Sequence, residues 1–289
     1  MILSSMWLCV SEMTRIFFKL NFFDFLNKVY LNFTKILYLL RYLLNISFDG
    51  SNYHGWQTQP KSITIQETIE NCMSQILGEK IKLVGAGRTD AGVHATIFYA
   101  HFDFQTSIQD KSSLLHKLNS FLPNDISVNN IHRVEDDFHA RFDALSRTYQ
   151  YKLTNLKNPF MKNRFYYLQK DLDFNLMNLA SLNLLGKKNF KCFSKSRSDV
   201  KTYDCSITSA KWFQLDNHWV FEISADRFLR NMVRAIVGTL IDIGQEKNKI
   251  TSLSELIRSG DRKKAGYSVP AHGLYLYHIS YPVKRILYD

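Results

Sequence analysis

Arg41-Tyr42-Leu43-Leu44-Asn45-Ile46-Ser47-Phe48-Asp49-Gly50-Ser51-Asn52 is the stretch from which the rest of the chain can be read. Tyr42, Leu44, Ile46 and Phe48 alternate with polar neighbours at the two-residue period of a half-buried strand, with Leu43 alone out of phase. Asp49-Gly50-Ser51-Asn52 then ends the strand in a turn. The next signal has another period. Thr64 and Glu67 stand at capping-box spacing, Ile65, Ile69, Cys72 and Ile76 follow at helical intervals, and Gly78 supplies a stop. A strand followed so closely by an amphipathic helix points to an α+β fold.

Working outward, residues 81–84 and 95–104 read as strands on either side of a glycine-bearing loop. Ser113–Phe121 reads as a helix before the Pro123-Asn124-Asp125 turn. Strands are expected near 125–134 and 143–154, then a helix from Phe174 to Leu185 that Gly186 ends, strands near 206–213 and 219–224, and a long apolar helix from Arg227 to Ile243. Ser252 and Glu255 offer a second capping box, and Leu274–Ile279 reads as a last strand. Both halves mix strands and helices in similar order, which predicts two α+β units, residues 41–140 and 141–289, without a sequence repeat or a low-complexity linker between them.

The chain of 289 residues carries 37 Lys or Arg against 26 Asp or Glu, a formal charge of +11, and is 45% hydrophobic. That composition excludes disorder and collagen-like repeats, allows a sizeable core, and favours an anionic partner. Residues 1–40 contribute only +2 of the charge, so the body is basic by itself. The same segment holds nine aromatics and no Gly or Pro, and Arg15, Lys19, Asp24, Lys28 and Lys35 interrupt every candidate membrane span. It lacks the early positive region of a secretory signal and is read as an extension, poorly structured or not native, with an interfacial amphipathic helix as the other reading. The four cysteines form no C-x-x-C pair and have no close His partner, so neither a disulfide framework nor a zinc site is expected, and a reducing cytoplasm fits.

Three of only twelve glycines fall in Val84-Gly85-Ala86-Gly87-Arg88-Thr89-Asp90-Ala91-Gly92-Val93-His94-Ala95. Gly85 and Gly87 would bring the main chain close to a ligand, and Gly92 would relax the loop beyond Asp90. The dinucleotide and Walker patterns are not completed here, so those cofactors are disfavoured. Residue types alone leave two readings of Asp90: a turn-stabilising side chain, or a nucleophile that a guanidinium such as Arg88 orients. His94 and His101 sit beside strand-like apolar residues and read as packed histidines. Lys187, Lys188, Lys191, Lys195, Arg197 and Lys201, with Phe190 and Phe193 interleaved, have a composition suited to RNA phosphates with occasional stacking, a solvated loop being the alternative. Arg227, Arg230 and Arg234 recur at helical steps, and such a stripe must meet phosphate, carboxylate or solvent. Phosphate is the expectation.

Four ordered segments carry a resemblance. Gly87 to Ala95 resembles the signature of the TruA family of tRNA pseudouridine(38-40) synthases. Phe48 to Gln57, Asp137 to Phe142 running on to Ser146-Arg147-Thr148-Tyr149-Gln150-Tyr151, and Phe228 to Arg234 agree with it in order and spacing, over roughly residues 41–282. The family often carries an Arg on the strand after Val200, which Thr202 to Ile207 lacks. The resemblance implies a pseudouridine synthase fold of two ferredoxin-like (RRM-like) α+β subdomains, with a mixed, mainly antiparallel sheet flanked by helices and a central cleft. It implies an isomerase that converts uridine to pseudouridine in the anticodon stem-loop of tRNA without metal or cofactor, acting as a cytoplasmic homodimer. Asp90 is then the covalent nucleophile. Arg88 pairs with it and fills the space of a flipped base, and Tyr149 packs on the target base and serves in proton transfer. Substrate contacts are expected from Tyr149, Arg230, Arg234, Lys188 and Arg197.

Overall fold

The computed structural model describes residues 39–195, 200–249 and 251–287. The expectation for the N-terminal extension therefore falls almost wholly outside the described residues, as does that for Arg197. By compactness the chain divides into one unit of residues 1–40 with 103–109 and a second of residues 41–102 with 110–289; apart from the strand-end residues Leu40, Asp103 and Phe104, everything below concerns the second.

The opening alternation forms β1 (Leu40–Phe48), whose Tyr42, Leu44, Ile46 and Phe48 are buried. Leu43 is buried as well, so the residue that broke the pattern marks a strand covered on both faces. Thr64 caps α1 (Ile65–Leu77) by accepting from the Glu67 amide, and Gly78 ends it in the left-handed region at φ 72°. A cap of this kind contributes about 1 kcal/mol. The chain continues through β2 (Val84–Gly85), β3 (His94–Phe104), α2 (Lys111–Phe121) and β4 (Ile126–Val134), which is the strand-helix-strand-strand-helix-strand order expected from sequence. The strand expected at 81–84 is only the two residues of β2.

The second half comprises β5 (Ser146–Thr154), β6 (Tyr166–Tyr167), α3 (Phe174–Ser181), β7 (Gly186–Asn189), β8 (Asp204–Leu215), β9 (His218–Ala225), α4 (Met232–Gly244), α5 (Thr251–Ser259), β10 (Leu274–Ser280) and β11 (Ile286–Leu287). All eleven strands join one mixed sheet in the order β11-β4-β1-β3-β10-β5-β9-β8-β7, with β2 on β3 and β6 on β5. The β10–β3 and β5–β6 pairs are parallel and the other described pairings are antiparallel. The two halves meet at β10, which pairs with β3 at Tyr275↔His94 and Leu276↔Ala95 and with β5 at Leu276↔Tyr149. Helix α4 is almost entirely buried in the core of the second half, where Ile236, Val237, Leu240 and Ile243 join Met177, Phe221 and Ile223.

Three expectations need correction. The apolar helix begins at Met232, because Asn231 takes a left-handed conformation at φ 68°. Arg227 and Arg230 therefore precede it, and the three arginines do not form a stripe along one helix. Ser252 lies inside α5 with its hydroxyl bonded to the Lys249 carbonyl, so the second capping box is not an N-terminus. Phe190 and Phe193 are fully buried in the core rather than interleaved among surface lysines. No helix among the described residues is long and apolar enough to cross a membrane.

Candidate active site

The loop between β2 and β3 presents Asp90, and its conformation depends on a second glycine-bearing segment packed against it. An added Cβ at Gly50 would lie 2.1 Å from the Val93 carbonyl oxygen, and one at Gly55 would lie 2.3 Å from that of Thr89. The Trp56 amide bonds the Thr89 carbonyl at 3.4 Å, the Gly92 amide bonds that of Tyr53 at 3.3 Å, and Gly92 has φ 76°. Gly85 makes room for the Trp56 indole. Gly87 meets nothing within 4 Å and has an ordinary φ, so the close approach expected of it belongs to Gly50 and Gly55. Gly55→Ala would combine that overlap with a φ of +90°, and it is expected to cost on the order of 2 kcal/mol or more and to displace the loop. Chemical denaturation checks the stability and an activity assay checks the loop.

His94 closes the loop. It is 2% exposed, its Nδ1 accepts from the Gly50 amide at 3.1 Å, its Nε2 faces the His272 carbonyl at 3.0 Å, and the Tyr275 ring stacks on it at 4.6 Å. Asp49 lies 3.1 Å from Nδ1 and also 3.4 Å from Arg164. His101 is 4% exposed and accepts from the Ala140 amide. Both are packed histidines. Burial lowers the pKa of His94 below the ordinary 6.5, although Asp49 opposes the shift, and burial likewise lowers His132, His139, His218 and His272. The unfolded chain therefore binds more protons than the folded one just below pH 6.5, so this contribution is complete above that pH and is lost as pH falls through the folded values. Melting temperature is expected to hold near neutrality and to decline from about pH 6.5 towards pH 5, less steeply in His94→Gln, as thermal melts across that range will show.

The carboxylate of Asp90 meets two guanidinium groups. Arg234 Nη1 lies 3.3 Å from Oδ2, and Arg230 Nε lies 3.5 Å from Oδ1. Arg234 sits in the first turn of α4, is 20% exposed, and donates from Nε to the Val269 carbonyl at 2.7 Å. Arg230 is 64% exposed and is held through its own carbonyl, which accepts from the Lys195 amide. Of the three arginines expected to meet phosphate, Arg230 and Arg234 thus have the Asp90 carboxylate as their immediate partner. Arg88, expected in that role, is exposed and forms no ion pair with Asp90 among the described residues.

Tyr149 stands in β5, between β10 and β9, and its ring meets Phe228 edge-on at 5.1 Å. Burial pushes its phenol up to about 12, with Arg147 pulling down and Asp90 pushing up, so it is protonated at neutral pH. Arg147, on the same strand face as Tyr149, was not singled out by the sequence reading; the two-residue period of β5 is the signal that places them together. Lys188, in β7, donates to the Asn183 carbonyl at 2.5 Å and is half-buried. The structure thus brings Asp90, Arg230, Arg234, Tyr149 and Phe228 into one neighbourhood, with a carboxylate flanked by cations beside a protonated phenol and an aromatic ring. A carboxylate so oriented can act as a nucleophile on an electrophilic ring or sugar carbon.

The family described as tRNA pseudouridine synthase matches residues 45–143 and 180–282. A tRNA pseudouridine synthase A of Bacteroides fragilis is 47% identical over 243 residues, covering 84% of this chain and 96% of that relative. One of Parabacteroides distasonis is 48% identical over 242 residues, covering 84% and 96%, and one of Porphyromonas gingivalis is 47% identical over 247 residues, covering 84% and 98%. Phe48 to Gln57, Gly87 to Ala95, Asp137 to Phe142 and Phe228 to Arg234 all lie within the matched residues, and the chain belongs to the tRNA pseudouridine synthase family.

Proposed function

We propose that this protein isomerises uridine to pseudouridine at positions 38–40, in the anticodon stem-loop of tRNA, with Asp90 as covalent nucleophile. The observation that supports it most is the Asp90 carboxylate held between Arg230 and Arg234 beside Tyr149. The target uridine leaves its stack, at a cost of a few kcal/mol, to reach the carboxylate. Asp90 bonds to the nucleotide, the bond from N1 to the sugar breaks, and the base turns. Its C5 then bonds to the sugar carbon, the C5 proton departs while the freed N1 takes one up, and Asp90 is released as a carboxylate. Every heavy atom of the substrate is retained and the proton lost at C5 is balanced by the one gained at N1, so the reaction consumes nothing. Tyr149 packs against the base with a protonated phenol, which can donate to a base oxygen and can relay the departing proton. Arg88, exposed and uncommitted to Asp90, takes the space that the flipped base vacates.

Residues 41–140 supply the Asp90 loop and residues 141–289 most of the tRNA surface, including Lys188 and Arg197. A cytoplasmic homodimer completes the reading, with both subunits contributing to the bound tRNA. Incubation of the purified chain with an unmodified tRNA transcript, followed by pseudouridine mapping, is the test. Pseudouridine at positions 38–40 is expected. A map with none refutes the activity, and a modified uridine elsewhere refutes the assigned positions.

A further inference from the structure

Arg147 forms no ion pair with a carboxylate among the described residues, yet its half-buried guanidinium donates three hydrogen bonds to backbone carbonyls. Nη1 donates to the Asp226 carbonyl at 2.9 Å, and Nη2 donates to the carbonyls of Ala86 at 3.2 Å and Arg141 at 2.6 Å. The three acceptors belong to three separate segments. Ala86 lies in the loop just ahead of Asp90. Asp226 ends the run from β9 into the segment that carries Arg230 and Arg234, and its own carboxylate is occupied by the amides of Ser206 and Arg227. Arg141 lies in the connection that leads into β5, and its neighbour Phe142 is 74% exposed.

Three converging carbonyl oxygens repel one another, and a planar cation with donors in a fixed fork is the side chain that can hold them together from one point. The positions of Asp90 and of its two arginines are then set from a common origin, the backbone of β5, which also carries Tyr149. We propose that Arg147 is a positioning residue that fixes the Asp90 loop against the Arg230–Arg234 segment, so that the chemical step, and not the capture of tRNA, depends on it. The proposal rests on the functional reading above and extends it to a residue which touches neither substrate nor nucleophile.

Lysine keeps the charge but places its donors on one nitrogen, which cannot span three segments, while methionine keeps the stem without the charge. Arg147→Lys and Arg147→Met are compared with wild type in the full-length protein by single-turnover pseudouridine formation, tRNA binding and thermal melting. Both variants are expected to lose about 100-fold in single-turnover rate, the scale of a small misplacement in a reacting pair, while tRNA Kd changes less than about threefold and both remain folded at the assay temperature. An unchanged rate in Arg147→Lys overturns the proposal. So does a weakened Kd with the rate preserved, which would make Arg147 an RNA contact, and so does loss of the folded state in both variants, which would make it a support of the fold alone. A wild-type protein that forms no pseudouridine would sink the functional reading and this inference together.

Discussion

Asp90→Asn is expected to abolish pseudouridine formation, by about 10⁴-fold or more, while leaving the fold and tRNA binding in place. The amide is nearly isosteric with the carboxylate, so the loop held by Gly55, Trp56 and His94 has no cause to move. What changes is the chemistry. An amide oxygen is a poor nucleophile, and losses on this scale follow removal of a group that forms the covalent intermediate. The substitution also removes one negative charge from between Arg230 and Arg234, leaving two guanidinium groups unopposed, so affinity for the polyanionic tRNA is expected to hold or rise. Single-turnover assays at saturating enzyme, paired with filter binding, separate the two effects. Full activity in the variant would refute the nucleophile assignment.

The second large effect is expected at Arg234. Its guanidinium bridges the Asp90 carboxylate and the Val269 carbonyl, and the Val269 amide returns a bond to the Arg234 carbonyl, so one residue ties α4, the Asp90 loop and the segment entering β10. Arg234→Ala leaves the Val269 carbonyl without its donor and the Asp90 carboxylate with only the exposed Arg230, a loss of about 1–3 kcal/mol in stability. The nucleophile also loses its orientation, and the catalytic rate is expected to fall by about 10²–10³-fold, the range seen when a single group stabilising the reacting charge is removed. Arg230→Ala provides the contrast. With 64% of its side chain exposed, its ion pair is screened by solvent, and a loss of less than about tenfold in the chemical step is expected. Comparable losses in the two variants would mean that both arginines are equally committed to the carboxylate.

Much of this was legible in the sequence, because the features that decide the fold are local. The alternation of β1, the Thr64 cap and Gly78 stop of α1, and the order of elements to β4 follow from periodicities within a few residues. Where the reading failed, the deciding contact was distant or stereochemical. Phe228 and Leu229 continue an apolar pattern into α4, and only the left-handed turn at Asn231 delays the helix; no pattern of side-chain types reports that φ. Phe190 and Phe193 lie among lysines in sequence but among core residues in space. Arg88 is two residues from Asp90, yet the partners of Asp90 are 140 and 144 residues away. Arg147 was hidden for a related reason, since its three acceptors are backbone carbonyls, and any residue type can supply those.

The place of β10 sets the order of events during synthesis. Residues 274–280 lie between β3 and β5, in the middle of the sheet, with Tyr149 in β5 on one side and Asp90 in the loop that leads into β3 on the other. A ribosome that has delivered both residues has still not delivered the strand that joins them. The nascent chain carries two open sheet edges, β3 and β5, until β10 emerges, and these edges are the surfaces on which premature pairing with another chain would begin. Completion of the site therefore waits on the emergence of β10, and a chain without it has no assembled site with which to engage tRNA. Truncation that removes β10 would then convert an enzyme into an aggregation-prone fragment.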